Sequence, residues 1–287
     1  MFNNPSSTGK VYLVGAGPGA VDLITVRGAK LLAQADIVFY DALVDPEMLE
    51  LCPQAEKVAV GKRCGKLSSA QQFINKRLVD AAQKYQIIVR LKGGDPMMFG
   101  RADEEIQTLK NRQIEVEVVP GITAALAGAA SIQQSLTLRG VSRSVAFITL
   151  AQGTNHSHAN EDKAPQPIAS PSADTLVYYM GRKDAAKIAQ QLIQQSDHGG
   201  VHKQDTPVHI LEAVSTAHER LWSSTLEQLA SGKADGWFNS NSPALIMVGE
   251  ALRHKAELVT TKSESSSTKI DNGLQDSQIL ANRTRRA

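Results

Sequence analysis

Short apolar runs alternate with longer stretches of helical periodicity in the first 120 residues of the chain. The runs predict five β-strands, at residues 10–14, 36–40, 57–60, 87–91 and 114–119. Apolar residues at helical spacing predict three helices between them, at residues 21–35, 69–84 and 102–112. Strands that alternate with helices are typical of an α/β layer. Pro120-Gly121 ends the last strand, so we predict an N-terminal α/β domain over residues 9–120.

The second half of the chain repeats the same alternation. We predict a helix of small residues at 122–130, strands at 145–150, 175–180, 207–213 and 244–248, and helices at 185–195 and 225–230. This indicates a C-terminal α/β domain over residues 121–252. A polar stretch at 153–174 predicts an insert loop, in which we read His156 and His158 as loop residues and not as metal ligands. Residues 253–287 lack apolar periodicity and predict a disordered tail.

Composition and charge exclude several classes of function. A net charge of +2 over 287 residues is too small to predict a nucleic-acid surface. The chain has no apolar run long enough to span a membrane, and its polar first residues do not resemble a signal peptide. Cys52 and Cys64 lack the spacing of a metal site and predict reduced thiols. We therefore expect a cytoplasmic α/β protein without a metal.

Two glycine-rich turns are the candidate binding sites. Gly15-Ala-Gly-Pro-Gly19 follows the first strand, and Ala20 completes the G-x-G-x-x-G/A spacing of dinucleotide-binding folds. Asp41 lies about 20 residues further on, where such folds carry a ribose-binding acid. A single motif of this kind is weak, so a dinucleotide site stays open at this point.

The second glycine turn carries more polar chemistry. The predicted strand at 87–91 runs into Gly93-Gly94, Asp95-Pro96 turns the chain, and a helix with acidic first residues follows. Glycines at the carboxyl end of a strand allow a ligand to approach the backbone closely. The alternative is an ordinary strand-to-helix turn.

Five motifs in order resemble the tetrapyrrole (precorrin) methylases over roughly residues 9–252. They are residues 11–19, residues 89–96 with 99–101 and 104–105, residues 118–124, residues 177–181 and residues 243–249. The resemblance implies the class III methyltransferase fold, in which two α/β domains hold S-adenosyl-L-methionine in the cleft between them, in a homodimer. It also argues against the dinucleotide site, because a dinucleotide-binding fold does not need the second glycine turn.

The resemblance also implies the ligands and the residues that contact them. S-adenosyl-L-methionine is the methyl donor, S-adenosyl-L-homocysteine is the product, and no metal is involved. The residues implied to contact the cofactor are Pro18, Gly93, Gly94, Asp95, Met98, Thr123, Ala124, Met180, Val214 and Ala244. At Val214 only the backbone is expected to serve, since the family usually has glycine there.

The implied reaction is methylation of a tetrapyrrole, uroporphyrinogen III, at two ring carbons, which gives precorrin-2 through precorrin-1 for sirohaem or cobalamin. Asp41 is implied as the proton acceptor and Lys62 as the proton donor. Arg90, Arg101 and Arg139 are expected to bind the substrate's carboxylates, because a guanidinium can contact both oxygens. The residues before Gly9 are too few for a dehydrogenase and ferrochelatase domain, so we expect this activity to stop at precorrin-2.

Three parts of the chain depart from the family pattern. Ala20 and Leu138 are apolar where the family usually has aspartate and histidine, and Ala102-Asp103 replaces two glycines. Two alternatives stay open. One is a tetrapyrrole methylase that acts on a later corrin intermediate or a different acceptor. The other is a non-catalytic relative that only binds the ligand, and only Ala20 and Leu138 favour it.

Overall fold

The computed structural model describes residues 8–60, 67–150 and 172–253. Lys62, most of the predicted insert at 153–174 and the predicted tail after Arg253 lie outside the described residues. No helix in the described part of the chain combines the length and the apolar character needed to cross a membrane.

The first sheet is parallel throughout and has the strand order β3-β2-β4-β1-β5. Its strands are β1 (Lys10–Gly15), β2 (Ile37–Tyr40), β3 (Glu56–Ala59), β4 (Ile87–Lys92) and β5 (Val116–Val119). The five predicted strands are confirmed, with ends that shift by one or two residues. The near-continuous apolar runs of the central strands β1, β2 and β4 follow from burial of both faces, which is usual for a parallel sheet.

Helices cover both faces of this sheet. They are α1 (Val26–Leu32), α2 (Leu67–Ala82) and α3 (Ala102–Asn111). One face of the sheet packs Val14, Val38 and Val89 with Leu32 and Met48, and the opposite face forms a separate core around Ile88. The central position of β4 therefore places its carboxyl end between those of β1 and β2.

The predicted helix at 21–35 is interrupted, and this part of the prediction is wrong. A 3-10 turn at Val21–Leu23 is followed by extended backbone at Ile24 and Thr25. The Thr25 hydroxyl accepts a hydrogen bond from the Gly28 amide and starts α1 there. Apolar periodicity continued across this cap, so the pattern alone did not reveal the break.

The second sheet is mixed and has the order β6-β7-β10-β8-β9. Its strands are β6 (Val145–Thr149), β7 (Thr175–Tyr179), β8 (Pro207–Glu212), β9 (Arg220–Thr225) and β10 (Ala244–Gly249). β6 and β7 are parallel, and the other neighbours are antiparallel. Four of these strands were predicted. β9 was missed because its side chains are mostly polar and exposed.

Three helices accompany the second sheet, and 3-10 turns complete the chain. The helices are α4 (Ala124–Ser131), α5 (Ala185–Ser196) and α6 (Leu226–Ala230), and further 3-10 turns are Pro46–Leu51, Arg182–Asp184 and Glu250–Leu252. α5 and α6 cover one face of the sheet, and α4 lies on the other. Residues up to Leu252 form one compact unit. The division into domains 9–120 and 121–252 stays a prediction.

Candidate functional site

Three loops meet at the carboxyl edge of the first sheet. They are residues 15–19 after β1, which we call the first glycine loop, residues 93–96 after β4, the second glycine loop, and residues 120–123 after β5. The Gly17 amide donates to the Gly94 carbonyl oxygen at 3.2 Å, and the Gly94 amide donates to that of Gly17 at 2.7 Å. Asp95 Oδ2 accepts from the Gly121 amide at 2.8 Å. These bonds fix all three loops to one another.

The glycines of the two loops have different surroundings. A Cβ atom on Gly15 would lie 2.5 Å from the Cα of Gly121, and one on Gly19 would lie 2.6 Å from Cγ2 of Thr216. Gly94 has a φ of +70° and no atom within 4 Å of its Cβ position. The first loop therefore needs glycine for close packing. The second loop leaves open space beside its backbone, as a ligand site requires.

Asp41, the predicted proton acceptor, is tied to the second glycine loop. Its Oδ1 accepts a hydrogen bond from the Leu43 amide at 3.0 Å, and its Oδ2 accepts one from the Gly93 amide at 3.3 Å. The side chain remains 24% exposed. The structure thus brings Asp41 and the Gly93-Gly94 turn together, with the carboxylate accessible from solvent.

Arg90 lies beneath this site and is only 4% exposed. Its Nε donates to Glu105 Oε1 at 3.2 Å and its Nη1 to the Leu91 carbonyl at 2.9 Å. Nη1 also lies 3.8 Å from Asp41 Oδ2. We predicted Arg90 as a ligand for substrate carboxylates. Its burial and its contacts favour a supporting role for it instead.

Lys92 and Glu105 complete a buried group of charges. Lys92 Nζ lies 3.2 Å from Glu105 Oε2, and the Gln71 side-chain amide donates to Oε1 at 3.1 Å. Burial lowers the pKa of Lys92, and the neighbouring Arg90 lowers it further. No role was predicted for Glu105, because the sequence pattern does not show that this position is fully buried.

Tyr179 at the end of β7 in the second sheet contacts the loop that follows β5 and the start of α4. Its hydroxyl lies 2.6 Å from the Thr123 hydroxyl and accepts from the Ala125 amide at 3.2 Å. The Phe99 ring packs against it with 5.0 Å between the ring centroids. Burial raises the pKa of Tyr179. Thr123 was predicted to contact the cofactor, and its hydroxyl contacts that of Tyr179. No role was predicted for Tyr179, although it lies within the motif at residues 177–181.

Left-handed backbone is concentrated in the loops around this edge. Met180 has a φ of +56°, Ala213 of +48° and Ser215 of +61°, while Phe99 and Arg101 have +53° and +56°. Such a conformation costs a non-glycine residue about 1–2 kcal/mol. Met180, a predicted cofactor contact, is held there with 56% of its surface exposed. Strain of this kind is often found at binding sites.

The first glycine loop packs against the residues that follow β8. The Val214 carbonyl oxygen lies 2.8 Å from the Cβ position of Gly19, and the Ala20 amide donates to Ser215 Oγ at 3.1 Å. Val214 is buried, and its backbone contact with the cofactor stays a prediction. Ala244, another predicted cofactor contact, begins β10 and pairs with Glu212.

Five further residues were predicted to contact the cofactor or the substrate. Pro18 is half-buried in the first glycine loop, Met98 just after the second glycine loop, and Ala124 at the start of α4. Arg101 forms two hydrogen bonds with the Glu104 carboxylate, at 2.7 and 2.8 Å. Arg139 is exposed on a turn beside Leu138. Within the described ranges, no three histidine, cysteine or acidic side chains gather as metal ligands would.

Two α/β layers with two hydrogen-bonded glycine loops at the carboxyl edge of the first sheet are typical of α/β ligand-binding proteins. Comparison with known families is more specific, since residues 10–230 match the Tetrapyrrole (Corrin/Porphyrin) Methylases. The chain belongs to this family, and its two-sheet fold is that of the class III tetrapyrrole methyltransferases.

Two curated relatives show which members of the family this chain is similar to. The chain is 41% identical over 246 residues to a uroporphyrinogen-III C-methyltransferase from Pseudomonas aeruginosa, covering 86% of this chain and 95% of that protein. It is 40% identical over 270 residues to a sirohaem synthase from Zymomonas mobilis, covering 93% of this chain and 54% of that protein. The chain spans about half the length of several sirohaem synthases that it matches.

A solved structure gives the same resemblance. Uroporphyrin-III C-methyltransferase from Thermus thermophilus, in complex with S-adenosylhomocysteine, is 36% identical and has a TM-score of 0.68. The match covers 85% of this chain and 94% of that one.

Proposed function

We propose that this chain transfers methyl groups from S-adenosyl-L-methionine to uroporphyrinogen III, twice, to give precorrin-2 through precorrin-1. The observation that carries the proposal is the second glycine loop, in which Gly94 leaves open space and the neighbouring Gly93 amide donates to the Asp41 carboxylate. A methyl donor and a proton acceptor are the two functions that this reaction needs side by side. Membership of the family and the uroporphyrinogen-III methyltransferases among its relatives support the choice of substrate.

The cofactor fits the residues around the second glycine loop. Amides and carbonyls of a glycine turn can approach the polar parts of the ligand closely, and Met180 and Met98 offer polarisable apolar surface. Bound there, S-adenosyl-L-methionine would supply an electrophilic methyl group. Asp95 takes a structural role in this proposal, because its two oxygens accept hydrogen bonds from the Met97 and Gly121 amides and hold the loop in shape.

Asp41 acts as the proton acceptor in this proposal. Methylation of a pyrrole carbon is completed only when a proton leaves the substrate, and a half-buried carboxylate fixed by two amides can accept it. The bond from Gly93 to Asp41 sets the distance between the base and the donor loop, so alignment and proton transfer depend on the same turn. Lys62, which lies outside the described residues, remains the proposed proton donor.

Exposed cations at the site suit a substrate rich in carboxylates. Arg101 and Arg139 are accessible and remain proposed ligands for these groups, and Arg101 would exchange Glu104 for a substrate carboxylate. Arg90 is assigned to support of Asp41 and not to direct contact. A homodimer, a cytoplasmic location and entry of the product into sirohaem or cobalamin synthesis belong to the same proposal.

The test is an anaerobic incubation of the purified chain with S-adenosyl-L-methionine and uroporphyrinogen III, followed by mass spectrometry of the tetrapyrrole. We expect a mass gain of two methyl groups and an equal release of S-adenosyl-L-homocysteine. Cofactor binding without transfer would contradict the proposal and favour a methylase of later corrin intermediates or a ligand-binding relative. No cofactor binding would contradict every methyltransferase function.

A further inference from the structure

Charged side chains replace the apolar core at the carboxyl end of β4. Arg90 and Lys92 alternate with Val89 and Leu91 and therefore share the face of the sheet that carries Ile88. Ile88 packs in the apolar core beneath α2 and α3. Both cations are buried at the top of this core, directly below the second glycine loop.

Glu105 from the first turn of α3 joins the two cations. Its carboxylate is fully buried, with Oε1 3.2 Å from Arg90 Nε and Oε2 3.2 Å from Lys92 Nζ. Burial of charges is costly, and well-packed apolar residues in their place are often equally stable or more so. Fold stability alone is therefore a weak reason for this arrangement, which suggests that the charges serve the site above them.

Arg90 is the link to that site. Its Nε faces Glu105, while its Nη1 lies 3.8 Å from Asp41 Oδ2 and donates to the Leu91 carbonyl. Among the described residues, Arg90 is the one cation recorded within ion-pair distance of Asp41. The guanidinium thus lies between two carboxylates, a buried one that anchors it and an accessible one at the ligand site.

We propose that Glu105 is a positioning residue, which acts through Arg90 to hold the Asp41 carboxylate in the orientation that proton transfer needs. The inference rests on the proposed function, because it takes Asp41 as the base. With Glu105 in place, its charge restrains Arg90 beneath Asp41 and leaves the carboxylate open to the substrate. Without that charge, Arg90 turns toward Asp41 and pairs with it more tightly, so the base is misdirected.

The first test compares Glu105→Gln, which keeps the side-chain shape and removes the charge, with the wild-type chain. We expect kcat to fall about 10- to 100-fold, as misplacement of a catalytic group does. KM for the tetrapyrrole and the dissociation constant for S-adenosyl-L-homocysteine should be unchanged. Glu105→Asp keeps the charge and should recover part of kcat. If Glu105→Gln folds poorly, Glu105→Asp is compared with the wild-type chain in its place.

Glu117→Gln is the matched control. Glu117 also lies between a lysine and an arginine, Lys10 and Arg27, but on β5 at the edge of the sheet, away from Asp41. Its loss should leave kcat unchanged. Full kcat in Glu105→Gln would overturn the proposal. So would a parallel loss of kcat and ligand affinity, which would indicate a merely structural role.

A second test does not depend on turnover. The urea midpoints of Asp41→Asn, Glu105→Gln and the double variant form a double-mutant cycle. Because Arg90 is left without an anion only when both are lost, the double variant should be less stable than the two separate losses predict. The same cycle with Glu117→Gln should be additive. Additive effects of Asp41→Asn and Glu105→Gln would overturn the proposal. An inactive wild-type chain would count against the proposed function. In that case the double-mutant cycle would still decide whether Glu105 and Asp41 are coupled through Arg90.

Discussion

The two glycine loops lie side by side and bond to each other, yet Gly94 of the second loop differs in its surroundings from Gly15 and Gly19 of the first, and from its own neighbour Gly93, which packs against Leu43. In the first loop, Gly15 and Gly19 bring backbone segments together with no room for a Cβ atom. In the second loop, Gly94 adopts positive φ beside empty space. Glycine is therefore required for close packing at Gly15 and Gly19, whereas at Gly94 it leaves an open surface for a ligand. A glycine motif by itself does not distinguish these roles.

The strands that lead into the loops differ in the same way. β1 ends at Gly15, while its neighbour β4 ends at the buried cation Lys92, and these two residues are partners in the register of the strands. The second loop also receives Asp41 from β2 through the Gly93 amide. Polar chemistry is thus concentrated on the second loop, and we expect substitutions there to affect ligands and turnover, and those in the first to affect folding.

The largest expected effect is on turnover. Asp41→Asn should lower kcat by about 100- to 10,000-fold, the usual contribution of a general base, because the amide cannot accept the proton. Affinity for S-adenosyl-L-homocysteine should persist, since the side chain still fits between the Leu43 and Gly93 amides. Steady-state kinetics and calorimetry measure the two quantities. Asp45→Asn, which alters an exposed cap nearby, is the control, and full turnover in Asp41→Asn would remove Asp41 from the mechanism.

The next effect is on folding. Gly15→Ala should destabilise the chain by about 1–3 kcal/mol, because the added methyl group meets the backbone of Gly121 and Gly94. The free energy of unfolding in urea measures this. Gly236→Ala, at a position with no neighbouring atom, is the control and should change stability little. Equal stability of the two variants would show that the first glycine loop does not depend on close packing at Gly15.

Much of the fold followed from the sequence because the central strands of the first sheet, β1, β2 and β4, are largely buried. Buried parallel strands leave apolar runs that can be read directly, and all five were located. The misses occurred where tertiary contacts outweigh local pattern. Arg220–Thr225 forms β9 despite its polar residues, since it pairs with the buried β8. α4 starts at Ala124 and not at residue 122, because Thr123 is still extended.

The site was predictable as a set of loops but not as a set of contacts. Gly93 and Asp41 do lie together, as their positions at strand ends suggested. Burial of Arg90 was not predictable, because its strand pattern does not show that α3 covers this end of the sheet with Glu105. Tyr179 was missed for a similar reason, since its hydroxyl contacts Thr123 from a strand 56 residues away.

The smallest expected effect concerns pH. Because folding lowers the pKa of Lys92 below its ordinary value of 10.5, the unfolded chain binds more protons than the native protein in the interval below that value. Stability should therefore rise with pH through this interval and be lost again as pH falls. Lys92→Met should flatten the rise in urea midpoint, while Lys84→Met, outside the site, should not. An unchanged slope in Lys92→Met would contradict the assigned cause.

The central claim is that the second glycine loop holds the methyl donor, and calorimetric titration with S-adenosyl-L-homocysteine tests it most directly. Gly94→Ala places a methyl group in the open space, and Gly199→Ala does so at another glycine with positive φ and empty surroundings, remote from the site. We predict that Gly94→Ala weakens binding by about 10-fold or more, equivalent to about 1.4 kcal/mol, and that Gly199→Ala binds like the wild-type chain. Unchanged affinity in Gly94→Ala would contradict the account.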